Sequence, residues 1–88
     1  MYEMKELLTK KLQLPSDVIS GDMLVTLTEN REAIIENYKG LVSYQADCIV
    51  IKGKHSTLSV NGKNLHIKYF TNEDMQVEGR IECIRYII

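Results

Sequence analysis

The side chains that could do chemistry are few. Cys48 and Cys83 are the two cysteines, and His55 and His66 the two histidines, of the 88-residue chain. They are scattered, and no Cys-x-x-Cys pair exists. A structural zinc site needs four ligands at workable spacing, so the residues predict no metal and no cofactor. Without an export signal the default for both cysteines is a free, buried thiol. No serine sits in a Gly-x-Ser-x-Gly turn and no His-Glu-x-x-His is present. Gly53-Lys54 and Gly62-Lys63 lack the second glycine and the strand-to-helix context of a phosphate loop. Glu73-Asp74 is a carboxylate pair, but in turn chemistry that reads as solvated. The residues predict a protein that is not an enzyme.

Charge is uneven along the chain. Residues 48–70 carry Lys52, Lys54, Lys63 and Lys68 and no acid. Glu29, Glu32 and Glu36 precede that stretch, and Glu73, Asp74, Glu78 and Glu82 follow it. If the four lysines share a face, they form a patch for an anionic ligand or a lipid headgroup. The blander reading is a solvated sheet whose lysines discourage edge-to-edge aggregation. Eleven Lys and Arg against twelve Asp and Glu leave a net charge of -1, which argues against a nucleic-acid partner. Tyr69 and Phe70, the only aromatics near the lysines, are too few for a stacking platform.

The elements that must position these residues fall into two unequal parts. Met4, Leu7, Leu8 and Leu12 recur at helical spacing, which predicts a helix over 3–14. Glu6 and Lys10 form a favourable i,i+4 pair, and Pro15 ends the element. From Met23 to Ile87 short alternating runs are punctuated by turn residues at Glu29-Asn30, Lys39-Gly40, Ala46-Asp47, Gly53-Lys54, Asn61-Gly62-Lys63-Asn64 and Asn72-Glu73-Asp74. That grammar predicts a mainly β domain, a small antiparallel β-sandwich or roll of about seven or eight short strands. The whole chain, 1–88, reads as one domain. Its start is not a secretory signal, and no apolar run approaches the roughly 20 residues of a membrane span, so a cytoplasmic protein is expected.

Alternation predicts a core of Val25, Leu27, Ile35, Ile49, Ile51, Leu58, Val60, Leu65, Ile67, Val77 and Ile81. A turn centred on Gly62-Lys63 would pair Val60 with Leu65 and Leu58 with Ile67. A weak echo runs through Ile51-Lys52-Gly53-Lys54, Val60-Asn61-Gly62-Lys63 and Val77-Glu78-Gly79-Arg80, and reads most simply as hairpin turns. The last strand breaks alternation. Ile81 and Cys83 fall on one face and Ile84, Tyr86 and Ile88 on the other, so either a bulge near Cys83-Ile84 re-aims the chain or both faces are apolar. Ile84, Tyr86 and Ile88, beside the Met4, Leu7 and Leu8 stripe, are the predicted surface for a protein partner or a second copy.

These segments also carry a resemblance. Leu12-Gln13-Leu14-Pro15-Ser16-Asp17-Val18 is similar to the LxLPxDV opening of the YabP/YqfC family of sporulation proteins of endospore-forming Firmicutes. Ile35-Glu36-Asn37-Tyr38-Lys39-Gly40 is similar to its IENxxG segment, and Leu58-Ser59-Val60-Asn61-Gly62 through Ile67 to its LxIxGxxLxI segment. Met75-Gln76-Val77-Glu78-Gly79-Arg80-Ile81 is similar to LxLEGxI, followed by an aromatic at Tyr86. The order and spacing carry the resemblance, from about Leu7 to Tyr86, and the LPxDV stretch points to the YqfC side of the family. Lys54-His55-Ser56-Thr57 departs from it where the family often has a glycine. The resemblance implies a non-enzymatic protein of the mother-cell cytoplasm, acting in engulfment, cortex or coat assembly, with a sporulation membrane protein as a partner. It attaches no catalytic residue to any position.

Overall fold

The computed structural model describes residues 21–87. The predicted helix, with Met4, Leu7 and Leu8, lies outside the described residues, and so does Ile88. The described chain is mainly β. Its strands are β1 (Leu24–Thr28), β2 (Glu32–Glu36), β3 (Gly40–Gln45), β4 (Cys48–Lys52), β5 (Thr57–Phe70) and β6 (Asp74–Ile87). They form one open six-stranded sheet in the order β1-β2-β6-β5-β4-β3, with every neighbouring pair antiparallel. One sheet thus stands where the two separate sheets of a sandwich were expected.

The strand count falls short of seven or eight because Asn61-Gly62-Lys63-Asn64 is not a turn. β5 runs straight through it, so Val60 pairs with Ile49 and Ile84 and not with Leu65. The same residues make a double bulge instead. Asn61 faces Cys83, Gly62 faces Ile81, Lys63 faces Arg80, and pairing resumes with His66 opposite Glu78. Glu82 is skipped on β6, and Asn64 with Leu65 is matched by Gly79 alone. Asn64 and Gly79 take positive φ, 54° and 137°. Residues that suit a turn suit a bulge for the same reason, which is their tolerance of left-handed backbone.

Bulging frees amide groups from the ladder, and buried amides must find partners elsewhere. The two short turns supply them. Gly62 N donates to Asp47 O at 3.1 Å and Leu65 N to Ala46 O at 2.8 Å, both in the β3–β4 turn. Gly79 N donates to Arg31 O at 3.2 Å and Ile81 N to Asn30 O at 2.7 Å, both in the β1–β2 turn.

The central hairpin is bent double at these bulges. A straight strand of 14 residues spans roughly 45 Å. Yet Asn37 N reaches Glu73 O at 2.8 Å, beyond one end of β5, while Lys39 N reaches Lys52 O at 2.7 Å. Lys52 pairs with Thr57, at the other end of β5. Two residues of chain cover at most about 7 Å, so the two ends of the hairpin lie side by side.

Bending brings two apolar sets into one cluster. Ile49 opposite Val60 and Ile51 opposite Leu58 form one set. Ala33 opposite Val77 and Ile35 opposite Met75 form the other. All eight have no exposed surface. Leu65 and Ile81 at the bend are also buried, as predicted. Val25 and Ile67 are only half-buried, packed against the cluster. Leu27 is 51% exposed, because it sits near the end of an edge strand with a neighbour on one side only. Ala33, Tyr38 and Met75 complete the core without having been expected there.

Candidate functional site

The four lysines do not converge. Lys52 ends β4, Lys54 lies in the β4–β5 loop with His55 and Ser56, and Thr57 opens β5. These residues line a cavity of about 200 Å³ with Gly53 and Ile87. His55 Nε2 stands 3.6 Å from Asp22 Oδ1, so an acid lies beside the cluster. Lys63 is at the bend opposite Arg80, six positions along β5 from Thr57. Lys68 Nζ pairs with Glu78 Oε2 at 3.7 Å, and His66 Nε2 lies 3.3 Å from Glu78 Oε1. The predicted patch is therefore reduced to Lys52 and Lys54, while Lys68 is neutralised elsewhere.

The acids, by contrast, do collect. Glu32, Ile34 and Glu36 on β2 alternate on one face with Asp74, Gln76 and Glu78 opposite them on β6. A cavity of about 380 Å³ lies at the end of this face, lined by Leu24, Glu36, Asn37, Glu73 and Asp74. Burial, reinforced by the charges of Asp74, Glu36 and Glu32, raises the pKa of the Tyr69 hydroxyl above its usual value. The Glu73-Asp74 pair serves the β5–β6 turn. Thr71 Oγ1 donates to Asp74 Oδ1 at 2.6 Å, and Glu73 N and Asp74 N donate back to Thr71 Oγ1 at 3.1 and 3.0 Å.

Tyr38 docks on the β5–β6 turn. It sits between Asn37 and Lys39, the residues that touch both ends of the hairpin. Its hydroxyl donates to Thr71 O and lies 3.0 Å from Asp74 O. Its ring stacks on Phe70 with centroids 5.8 Å apart. Burial first, and Asp74 second, push its pKa above the ordinary value.

Both thiols are free, as expected, but neither is fully buried: Cys48 is half-buried and Cys83 exposed. They flank Asn61 in one cross-strand row, Cys48 on β4 and Cys83 on β6. Two strand spacings separate them by roughly 9.6 Å, too far for a disulfide. Among the described residues no three His, Cys, Asp or Glu side chains gather as metal ligands, and no helix is long and apolar enough to cross a membrane.

The C-terminal strand keeps part of its predicted role. The bulge falls at Glu82, one residue before the expected place, and turns Ile84 toward the core opposite Val60. Tyr86, opposite Leu58, is 55% exposed, and Ile87, opposite Thr57, is 47% exposed. Adjacent residues on a strand point to opposite faces, so apolar surface remains on both sides of the chain end. Ile84 is the exception among the surface residues, because its side chain is spent on packing.

The residues that build this open, bulged antiparallel sheet are also those that a family comparison matches. The YabP family model matches residues 20–87, and the chain belongs to that family. A curated relative, the uncharacterized protein YqfC of Bacillus subtilis (strain 168), is 31% identical over 84 residues, covering 96% of this chain and 90% of YqfC. No solved structure matches the chain.

Proposed function

We propose that this protein is a non-enzymatic scaffold or adaptor of endospore formation, acting in the mother cell during engulfment, cortex or coat assembly. Membership of the YabP family across the whole described sheet supports the sporulation role. The observation that carries the adaptor role is the exposed apolar end of β6. Tyr86 and Ile87 stand out on opposite faces at the end of β6, so a partner that grips the strand end from both sides would cover apolar surface on each. The partner is a protein, and a sporulation membrane protein is the candidate we favour, which would bring the adaptor to a membrane. The test is deletion in an endospore-forming host. Vegetative growth should be unchanged and heat-resistant spores should be lost. A normal spore yield after deletion contradicts the proposal.

One observation favours a second reading, a small β module for an anionic ligand or lipid headgroup. Lys52 and Lys54 line one cavity with Ser56 and Thr57. Co-sedimentation with anionic vesicles at low and high salt tests it. Binding that disappears with salt and with Lys52→Gln, Lys54→Gln supports this reading. Absence of binding at low salt removes it.

A further inference from the structure

The sheet has two outermost strands, β1 and β3, each paired on one side only among the described residues. A strand edge offers unpaired N–H and C=O groups to any other strand, and monomeric proteins blunt such edges with charge or proline. Neither device is present here. β3 reads Gly-Leu-Val-Ser-Tyr-Gln and β1 Leu-Val-Thr-Leu-Thr, without a charged residue or a proline, while every inner strand carries charge. β3 has one irregularity, a bulge between Leu41 and Ser43. A bulge can also blunt an edge, but this one leaves Val42 without a partner on β4 and 61% exposed. Tyr44, beyond the bulge, is 49% exposed, and its hydroxyl accepts from Ile67 N at 2.9 Å.

We propose that β3 is a self-recognition edge: two copies pair β3 with β3, antiparallel, about a two-fold axis at Ser43. In that register Val42 of each copy lies opposite Tyr44 of the other, so the exposed apolar residues of the two edges meet. The Lys39 end of β3 in each copy lies beside the β3–β4 turn that carries Asp47 in the other, so opposite charges meet at both ends. Both side chains are exposed, and neither has an ion-pair partner among the described residues. The pattern around Ser43 is self-complementary in charge, which is what an isologous contact requires. β1 lacks this property. Asp22 precedes it and Glu29 follows it, so two β1 edges would oppose acid to acid, and β1 against β3 would satisfy one end and repel at the other. The occupant that fits β3 is therefore a second copy of this chain. The inference is independent of the adaptor surface, since β4 and β5 separate β3 from β6.

Sedimentation velocity of the full chain over a wide concentration range tests it. The wild type should show a reversible monomer–dimer equilibrium. Val42→Lys should weaken it by at least about tenfold without altering the circular dichroism spectrum, because Val42 is exposed. Lys39→Glu and Asp47→Lys should each weaken it several-fold, and the two together should restore it, since both ion pairs are reversed. In a cysteine-free background, Ser43→Cys should oxidise to a covalent dimer faster than Thr26→Cys on β1. A wild type that stays monomeric overturns the proposal. So does a dimer indifferent to Val42→Lys but lost on Tyr86→Ser, or a double charge reversal that restores nothing.

Discussion

Gly62 lies so close to Arg80 that a Cβ on the glycine would stand 1.9 Å from the Arg80 carbonyl oxygen. The obstacle is backbone, which cannot swing aside. The hairpin is folded double because two strands approach here more closely than any side chain allows.

Gly62→Ala should therefore abolish or severely impair folding, with a cost of at least about 3 kcal/mol, above the usual range for surface changes. Gly79→Ala should be nearly as harmful, since φ is 137° and its Cβ would meet Asn64 O at 2.6 Å. Gly40→Ala is the matched control. A Cβ there meets nothing within 4 Å, and the change should be neutral to within about 0.5 kcal/mol. Thermal denaturation of the three variants reads the difference.

The strands were legible in the sequence because a half-buried strand alternates. Ile49 and Ile51, Leu58 and Val60, Met75 and Val77 announce themselves in that way. The bend was not legible, because Asn61-Gly62-Lys63-Asn64 satisfies both a hairpin turn and a bulge, and only long-range pairing with Gly79 decides between them. The echo around Gly53, Gly62 and Gly79 held the clue. Its second and third copies meet across β5 and β6 at the bend, and only the first lies at a turn. The lysine patch failed for the same reason. Lys63 and Lys68 belong to one long bent strand that does not turn back at Gly62-Lys63.

Core substitutions should follow burial and not alternation alone. Leu58→Ala, at a site with no exposed surface, should cost about 2–5 kcal/mol. Ile67→Ala, which a hairpin centred on Gly62-Lys63 would make equally costly, should cost less, about 1–2 kcal/mol, because Ile67 is half-buried. Chemical denaturation with a constant m-value measures both. Equal losses would show that Ile67 is packed as tightly as Leu58.

Alkaline stability should report Tyr38. Its folded-state pKa is raised, so its contribution is fully present below the unfolded value near 10 and is lost as pH rises through the folded value. Melting temperature should fall above about pH 10, and less steeply in Tyr38→Phe. At neutral pH that variant should lose about 0.5–1.5 kcal/mol with the hydroxyl's hydrogen bond. Identical alkaline profiles for the two proteins would remove Tyr38 as the responsible group.

Ile84 and Tyr86 should separate stability from contact. Ile84→Ser places a hydroxyl against the core opposite Val60 and should lower stability by about 1–3 kcal/mol. Tyr86→Ser, at an exposed site, should leave the melting temperature within a few degrees of wild type.

The adaptor reading is tested most directly by counting heat-resistant spores in a strain whose only copy carries Tyr86→Ser and Ile87→Ser, with the protein at wild-type abundance. The account predicts a spore yield as low as that of the deletion strain, from a protein that is folded and present. A wild-type yield from the same strain would contradict it, because the exposed end of β6 would then carry no contact that sporulation needs.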